Sequence, residues 1–310
     1  MGKGNEPHRH PMPVGDLRAG LEVGALRGLM GALRGLPREP VRKLSGAIAG
    51  TVGMRLRRLH RVGMENLQAA FPERDRVWCE QTLAACFRQL GYMAAELAHF
   101  DRLTPQNIGE TVQFESSDAE TFFRERAAAG GAIIATGHFG NWELFAQAAG
   151  LMGSPIHIVH RPLKNPRVDD LLTGIRARAG TEVVYKHAAA RQILQALRRG
   201  ALVAVPIDQH APGATGIPVP FFGRLAQTTA GPARLAQIAR VPIQTAVLAR
   251  VGDSDRHQIV ACPPLDPPPR GKDPAVLLSV TQQLNLQFED IVRRYPEQWL
   301  WMHRRWRTSA

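Results

Sequence analysis

From residue 132 onward one pattern repeats: a short uncharged apolar run, a turn, then an amphipathic stretch of about ten to thirteen residues. The runs at 132–136 (AIIAT), 156–160, 183–185, 202–207 and 243–249 read as strands. The stretches at 142–152, 166–178, 188–199 and 231–239 read as helices. Strands this short and apolar are buried on both faces. The pattern therefore predicts an α/β fold with a mostly parallel or mixed central sheet covered by helices. Residues 257–262 would join as an antiparallel addition. Upstream, a long helix over 75–100 follows the FPE turn at 71–73, and another over 115–129 takes Ser116 or Ser117 as its cap. Downstream, a proline-rich connection at 263–269 leads to a closing helix over 274–294, ended by Tyr295-Pro296.

At 310 residues with 44% hydrophobic content the chain has ample core for this architecture, and a wholly disordered chain is excluded. Lys and Arg number 39 against 27 Asp and Glu, a formal charge of +12, so an anionic partner is expected: nucleic acid, phospholipid, phosphorylated ligand or acidic protein. Only five of the cations are lysines. Arginine's planar fork suits phosphate and carboxylate. Cys79, Cys86 and Cys262 form no CxxC pair; the first two, at helical spacing among apolar residues, read as small buried hydrophobes.

The amino-terminal region is distinct. Residues 1–18 are polar and carry three prolines, unlike a signal peptide. Residues 17–36 and 44–54 are rich in Leu, Ala and Gly. The first stretch is interrupted by arginines and the second is only eleven residues long, so neither reads as a transmembrane span. Gly20, Gly24 and Gly28, then Gly31 and Gly35, then Gly46 and Gly50, recur every four residues and permit close helix contacts. With the adjacent RLRRLHR run (55–61), these segments fit a helix pair lying on an anionic membrane surface, or a helical layer packed on the protein's own core. The division expected is an amino-terminal tail with membrane-associating helices over 1–60 and an α/β catalytic domain over 61–310.

The sharpest local signal is GHFGNWE at 137–143, directly after the strand at 132–136. Ligands of open α/β sheets collect beyond the carboxyl ends of strands, where His138 stands. Glu143 is five residues on, about 140° around a continuous helix, so the pair meets only if the chain turns at Gly140. Asn141 would then cap the next helix, with Glu143 in its first turn. A carboxylate orienting an imidazole makes a general base for a hydroxyl. No Ser or Cys nucleophile lies in the loop, which favours direct transfer to an acceptor hydroxyl. On spacing alone, a structural histidine or an ordinary helix cap fits equally. One His and one Glu are too few ligands for a metal. Backbone N–H groups at Gly140 and Asn141 are candidates to support an oxyanion.

The run RYPEQWLWMHRRWR (294–307) alternates Trp299, Trp301 and Trp306 with His303, Arg304, Arg305 and Arg307. It admits three readings: stacking on single-stranded nucleic acid, indoles at a membrane interface, or a tail pinned to the core by its tryptophans. Of these residues, Arg304 and Arg305 are the ones expected to face phosphate.

GHFGNWE resembles the H-x4-D/E signature of glycerolipid-type acyltransferases. NLQAAFPE (66–73), HRPLKNPRVDDLL (160–172), PIDQH (206–210), PVPFFGRLAQTTAGPARLA (218–236) and the carboxyl-terminal run narrow the resemblance to the late acyltransferases of lipid A biosynthesis, the lauroyl/myristoyl type. The motifs run in that family's order over about residues 60–307. The resemblance implies a glycerolipid acyltransferase-like fold and transfer of a fatty acyl group from acyl carrier protein to a hydroxyl of a lipid A precursor. The implied site is the cytoplasmic face of the inner membrane, with no cofactor, no metal and no nucleic acid. It implies His138 as base and Glu143 as its orienting acid, with Arg161 and Asp208 on the substrate, beside Arg304 and Arg305 from the reading of the carboxyl-terminal run. Where the family often has a second acid two residues after Asp208, this chain has His210. Another phosphorylated glycolipid or a lysolipid as acceptor is the alternative. A non-catalytic nucleic-acid- or membrane-binding protein is the remote one.

Overall fold

The computed structural model describes residues 16–160, 162–185 and 189–307. Four helices come first: α1 (Asp16–Arg34), α2 (Arg38–Arg55), α3 (Arg57–Ala70) and α4 (Arg76–Leu97). A one-turn α5 (Ile108–Thr111), strand β1 (Val112–Phe114) and α6 (Ser117–Ala129) follow. The alternating part comprises β2 (Ala132–Thr136), α7 (Trp142–Leu151), β3 (Ile156–His160), α8 (Pro166–Ala177), β4 (Val183–Tyr185), α9 (Ala189–Arg198) and β5 (Leu202–Pro206). A hairpin of β6 (Gly216–Phe221) and β7 (Arg224–Thr229), then α10 (Gly231–Ala239), β8 (Ile243–Arg250), β9 (His257–Ala261) and α11 (Pro274–Arg294), complete the order.

Seven strands form one sheet in the order β1-β9-β8-β2-β5-β3-β4. Every neighbouring pair is parallel except β8 and β9. The sheet is thus mixed and mostly parallel, with helices over both faces. β2 shows why. Ile133 and Ala135 enter a core shared with α3, α4, α10 and α11, while Ala132 and Ile134 enter a second core shared with α6, α7 and α8. A strand covered on both faces favours apolar side chains, hence AIIA at 132–135 with the polar Thr136 only at its carboxyl end.

Consecutive strands β2 and β3 are not neighbours, because β5 returns between them. The register pairs Thr136 with Pro206, so the two strands end level and the residues just beyond them lie side by side. This switch in strand order opens the crevice at the carboxyl edge.

The sequence reading did not include β1, α3 or the β6–β7 hairpin. Pro218 and Pro220 argue against a strand on composition, yet β6 pairs only with β7, so the missing N–H groups cost the main sheet nothing. The hairpin turns on Phe222 and Gly223, both at positive φ (50° and 69°), the handedness of tight two-residue turns.

The glycine spacing is used in one place and idle in another. Gly46, Gly50 and Gly53 of α2 lie against Tyr92, Arg88 and Phe87 of α4, and Gly91 of α4 lies against Ser45 and Ala49 in return. Gly24, Gly28 and Gly31 of α1 face open space. α1 is held by Met30, Leu26 and Leu33 packed on the second core and by polar contacts: Asn165 Nδ2 donates to the Ala19 carbonyl (3.2 Å) and to Glu22 (2.8 Å), and Arg34 Nε donates to the Ala98 carbonyl (2.9 Å). Leu21, Leu29, Leu36, Leu44, Ile48, Val52 and Leu56 remain exposed on these two helices and their ends. No helix among the described residues is long and apolar enough to cross a membrane.

The tight α2–α4 crossing yields a test. A methyl at Gly91 would collide with the Ser45 carbonyl, which is backbone and cannot swing away. Gly91→Ala should lower stability by about 1–3 kcal/mol despite alanine's better helix propensity, whereas Gly28→Ala should stabilise or leave it unchanged; chemical denaturation of both variants measures this.

Candidate active site

The β2 strand delivers the chain into a turn that only glycine permits at two points. At Gly137 a Cβ would press on the Phe288 ring and come within 2.9 Å of the Asp208 carboxyl carbon. Gly140 has φ of 53°, and a Cβ there would collide with the Leu248 carbonyl oxygen. Asn141 then caps α7 by accepting from the Leu144 N–H (3.0 Å), as its position in GHFGNWE leads one to expect.

His138 stands two residues beyond β2 and Asp208 two residues beyond β5, and the level register joins them. Asp208 accepts from the His138 backbone N–H through Oδ2 (2.8 Å) and lies 3.1 Å from Nδ1 through Oδ1. An ionised carboxylate can only accept, so Nδ1 carries the proton and the basic lone pair is on Nε2. The Gln209 amide nitrogen lies 3.3 and 3.5 Å from the two ring nitrogens, and Trp142 meets the imidazole edge-on with centroids 5.3 Å apart.

Burial alone would raise the Asp208 pKa. The charge of His138, hydrogen bonds from its ring and backbone, and one from the Trp299 indole outweigh that and hold the carboxyl below its ordinary value. Burial alone would likewise lower the His138 pKa. The charge and hydrogen bond of Asp208, with a smaller field from Glu143, outweigh it and leave the imidazole above its ordinary value.

Glu143 is differently engaged from what the spacing suggests. Its carboxylate is held by Arg176 of α8 through paired hydrogen bonds of 2.9 and 2.7 Å, and none joins it to His138. The carboxylate that orients the imidazole comes from a different strand. Beside His138 lies a cavity of about 150 Å³, with Phe145, Ala146, Ile156, Ile158 and Ala204 as apolar walls and Glu143 and Arg176 as its charged pair.

Gly140 and Asn141 do not supply free donors. The Gly140 N–H donates to the Gln298 carbonyl (2.8 Å) and that of Asn141 to the Leu248 carbonyl (3.3 Å). Both amides are consumed in anchoring the turn, which corrects their reading as oxyanion support. The Asn141 side chain, fully buried, donates to Glu96 (2.7 Å), and Glu96 is gripped by both terminal nitrogens of Arg250 (2.6 and 2.9 Å). Nothing local in the sequence marks Glu96 or Arg250; only their burial as a pair reveals them.

The carboxyl-terminal run is divided between core and surface. Trp299 and Trp301 are fully buried, and Trp306 stacks on Phe221 at 5.8 Å, so this run presents neither a nucleic-acid platform nor an interfacial belt. Arg305 is fully buried too. It donates to the carbonyls of Gln209 (3.3 Å) and Gln227 (2.8 Å) and to Thr228 Oγ1 (2.6 Å), and burial pushes its pKa down to about 10. It is therefore a strut between the β5 end and the hairpin rather than a phosphate ligand. Arg304 is exposed. His210 is half-buried, its pKa lowered by burial and by Arg307 and Arg305. Arg161 lies outside the described residues.

Residues 23–308 match the family described as bacterial lipid A biosynthesis acyltransferase. The chain belongs to this family. It is 25% identical over 254 residues to the lipid A biosynthesis palmitoleoyltransferase of Escherichia coli (strain K12), covering 82% of this chain and 80% of that protein. It is 26% identical over 271 residues to the lipid A biosynthesis lauroyltransferase of the same organism, covering 87% and 86%. A lipid A biosynthesis acyltransferase of Haemophilus influenzae is 22% identical over 271 residues, covering 86% and 81%. The protein is accordingly an acyltransferase, transferring groups other than aminoacyl.

The electrostatics of this acyltransferase can be read directly. In the wild type the His138 imidazole should titrate above the ordinary value of about 6.5. Asp208→Asn removes the charge that raises it and leaves the desolvation that lowers it, so the pKa should fall below that value. Glu143→Gln should move it less, in the same direction. Histidine NMR titrations of the three proteins check the order.

Proposed function

We propose that this acyltransferase moves a fatty acyl chain from an acyl carrier protein thioester to a hydroxyl of a lipid A precursor at the cytoplasmic face of the inner membrane. The observation that carries the reading is a half-buried imidazole, oriented by a buried carboxylate, beside a cavity with apolar walls and one ion pair at the carboxyl edge of the sheet. In this reading His138 Nε2 takes the proton of the acceptor hydroxyl as its oxygen attacks the thioester carbonyl. The tetrahedral intermediate then collapses, the C–S bond breaks, and the carrier thiolate leaves and takes up the proton from His138. Asp208 holds the Nδ1–H throughout and stabilises the imidazolium, the part played by the buried acid in hydrolase triads. Glu143, held by Arg176, contributes its field and a wall of the cavity, where the first carbons of the acyl chain would lie.

The relatives' names specify lauroyl and palmitoleoyl transfer in lipid A biosynthesis; what we carry over is the reaction class and the acceptor. The surplus of positive charge suits both an acidic carrier and a phosphorylated acceptor, steering their encounter. The amino-terminal helices, residues 1–60 in the division expected from sequence, would orient the 61–310 domain on the bilayer. Leu44, Ile48 and Val52 recur every four residues on the open side of α2, and exposed Lys43, Arg55, Arg57, Arg58 and Arg61 flank them. That combination suits shallow insertion into an anionic leaflet.

His138→Ala should abolish acyl transfer between a dodecanoyl carrier-protein thioester and a lipid A precursor, read by mass spectrometry, while leaving vesicle binding intact. Undiminished turnover by that variant would end the proposal. Ile48→Asp with Val52→Asp should reduce co-sedimentation with phosphatidylglycerol vesicles severalfold without lowering thermal stability, since both side chains are exposed. Retention of binding by the double variant would remove α2 from the membrane contact.

A further inference from the structure

The carboxyl-terminal segment reaches the reaction centre from behind. Residues 298–300 run antiparallel to the turn at 138–140: Phe139 bridges Trp299, the Gly140 N–H donates to the Gln298 carbonyl, and the Leu300 N–H donates to the His138 carbonyl (3.0 Å). Trp299 is pinned between these contacts. Its carbonyl accepts from the Cys86 thiol (2.9 Å), and its indole packs edge-on against Trp301 at 4.5 Å and Phe221 at 5.4 Å.

From that fixed position the indole Nε1–H donates to Asp208 Oδ2 at 3.2 Å. Oδ2 therefore receives two donors, the His138 backbone amide and the indole, and Oδ1 faces the imidazole. A carboxylate tethered at one oxygen by two rigid donors cannot rotate about its χ2 axis. We propose that Trp299 is a positioning residue of the transfer reaction: its indole N–H fixes the rotamer of Asp208 and, through it, the orientation and basicity of His138. The inference rests on the reading of His138 as the general base.

The sign of the effect follows from the charges around the pair. Removing the indole donor leaves Asp208 less compensated, so its attraction for a proton on His138 grows and the imidazolium is favoured. The other groups acting there are Glu143 from α7, which favours the imidazolium, Arg305 from the carboxyl-terminal segment, whose positive charge acts on Asp208, and His303 beside it, whose charged form is disfavoured by burial and which acts on both Asp208 and His138 when protonated. None of these is altered by a change confined to the indole nitrogen.

Two replacements at position 299 test this in the full-length protein: Trp299→Phe, and single-site incorporation of benzothienylalanine, which keeps the bicyclic shape but has sulfur in place of N–H. We expect kcat to fall roughly ten- to a hundredfold, the equivalent of one charge-assisted hydrogen bond, with KM for the carrier thioester unchanged. The acid limb of the kcat profile, and the His138 titration by NMR, should move to higher pH. If the phenylalanine variant does not fold, the sulfur analogue decides alone. A folded analogue with the wild-type profile, titration and kcat would overturn the proposal, because packing is retained and only the donor is lost. The NMR titration needs no substrate. Activity in His138→Ala would sink the general-base reading, whereas an unmoved titration in the Trp299 analogues would sink this inference alone.

Discussion

The level ending of β2 and β5 is the constraint on which the rest depends. Parallel neighbours paired Thr136 to Pro206 put positions 138 and 208 beside each other, and the Ile207 N–H donating to the Thr136 carbonyl (2.8 Å) carries the ladder one step beyond the strands. A slip of either strand by one residue would turn its side chains to the opposite face of the sheet and part the pair. Because both strands are buried on each face, such a slip would also expose no apolar set and gain none. The pairing is instead held by the helices that cover it and by the turn chemistry that follows. A buried carboxylate without donors would be costly. Asp208, with three, has its ionised form favoured.

A second buried charge does for the turn what Asp208 does for the imidazole. Glu96 and Arg250 come from a helix and a strand far apart in sequence, and their pairing takes both out of water. Such pairs stabilise little against an apolar substitute, yet removing one partner leaves a stranded charge at a cost of about 3–5 kcal/mol. Here the pair is completed by Asn141, Gln89, the Ser254 carbonyl and, through the Arg250 backbone, by Gln298. Asn141 is in the active-site turn and Gln298 in the segment that braces it, so a structural ion pair sets the path of the loop carrying His138. Rigidity in this crevice is supplied from outside it.

The amino-terminal helices show the same residue types used for opposite ends. On α2 the glycines face inward, where Tyr92, Phe87 and Arg88 occupy the space a side chain would have taken. Leu44, Ile48 and Val52 face outward, although Val41 at the start of the helix is buried. An ordinary amphipathic helix in water has the reverse arrangement. Close contact with α4 supplies dispersion energy over a wide backbone surface, and the arrangement leaves Leu44, Ile48 and Val52 exposed.

Much of the architecture was legible in the residues themselves, because burial on both faces writes an unmistakable apolar run. AIIAT at 132–136 and the cap at Asn141 are local facts of that kind, as are the positions of His138 and Asp208 at strand ends. The hairpin at Pro218 and Pro220 was not legible, since its strands escape the rule that excludes proline from the interior of a sheet. Partnership was not legible either. The spacing of His138 and Glu143 suggests a pair, but Glu143 meets Arg176 and the imidazole meets an acid seventy residues away in sequence. The tryptophans of the final run gave no sign of which would be buried, nor that Trp299 would touch Asp208. Sequence alone determined most of the elements, the alternation of those in the main sheet and the side chains able to do chemistry, because each depends on neighbours along the chain. Which carboxylate orients the imidazole was decided by strand order and register, because hydrogen bonds act over about three ångströms of space and only folding brings distant residues within that reach.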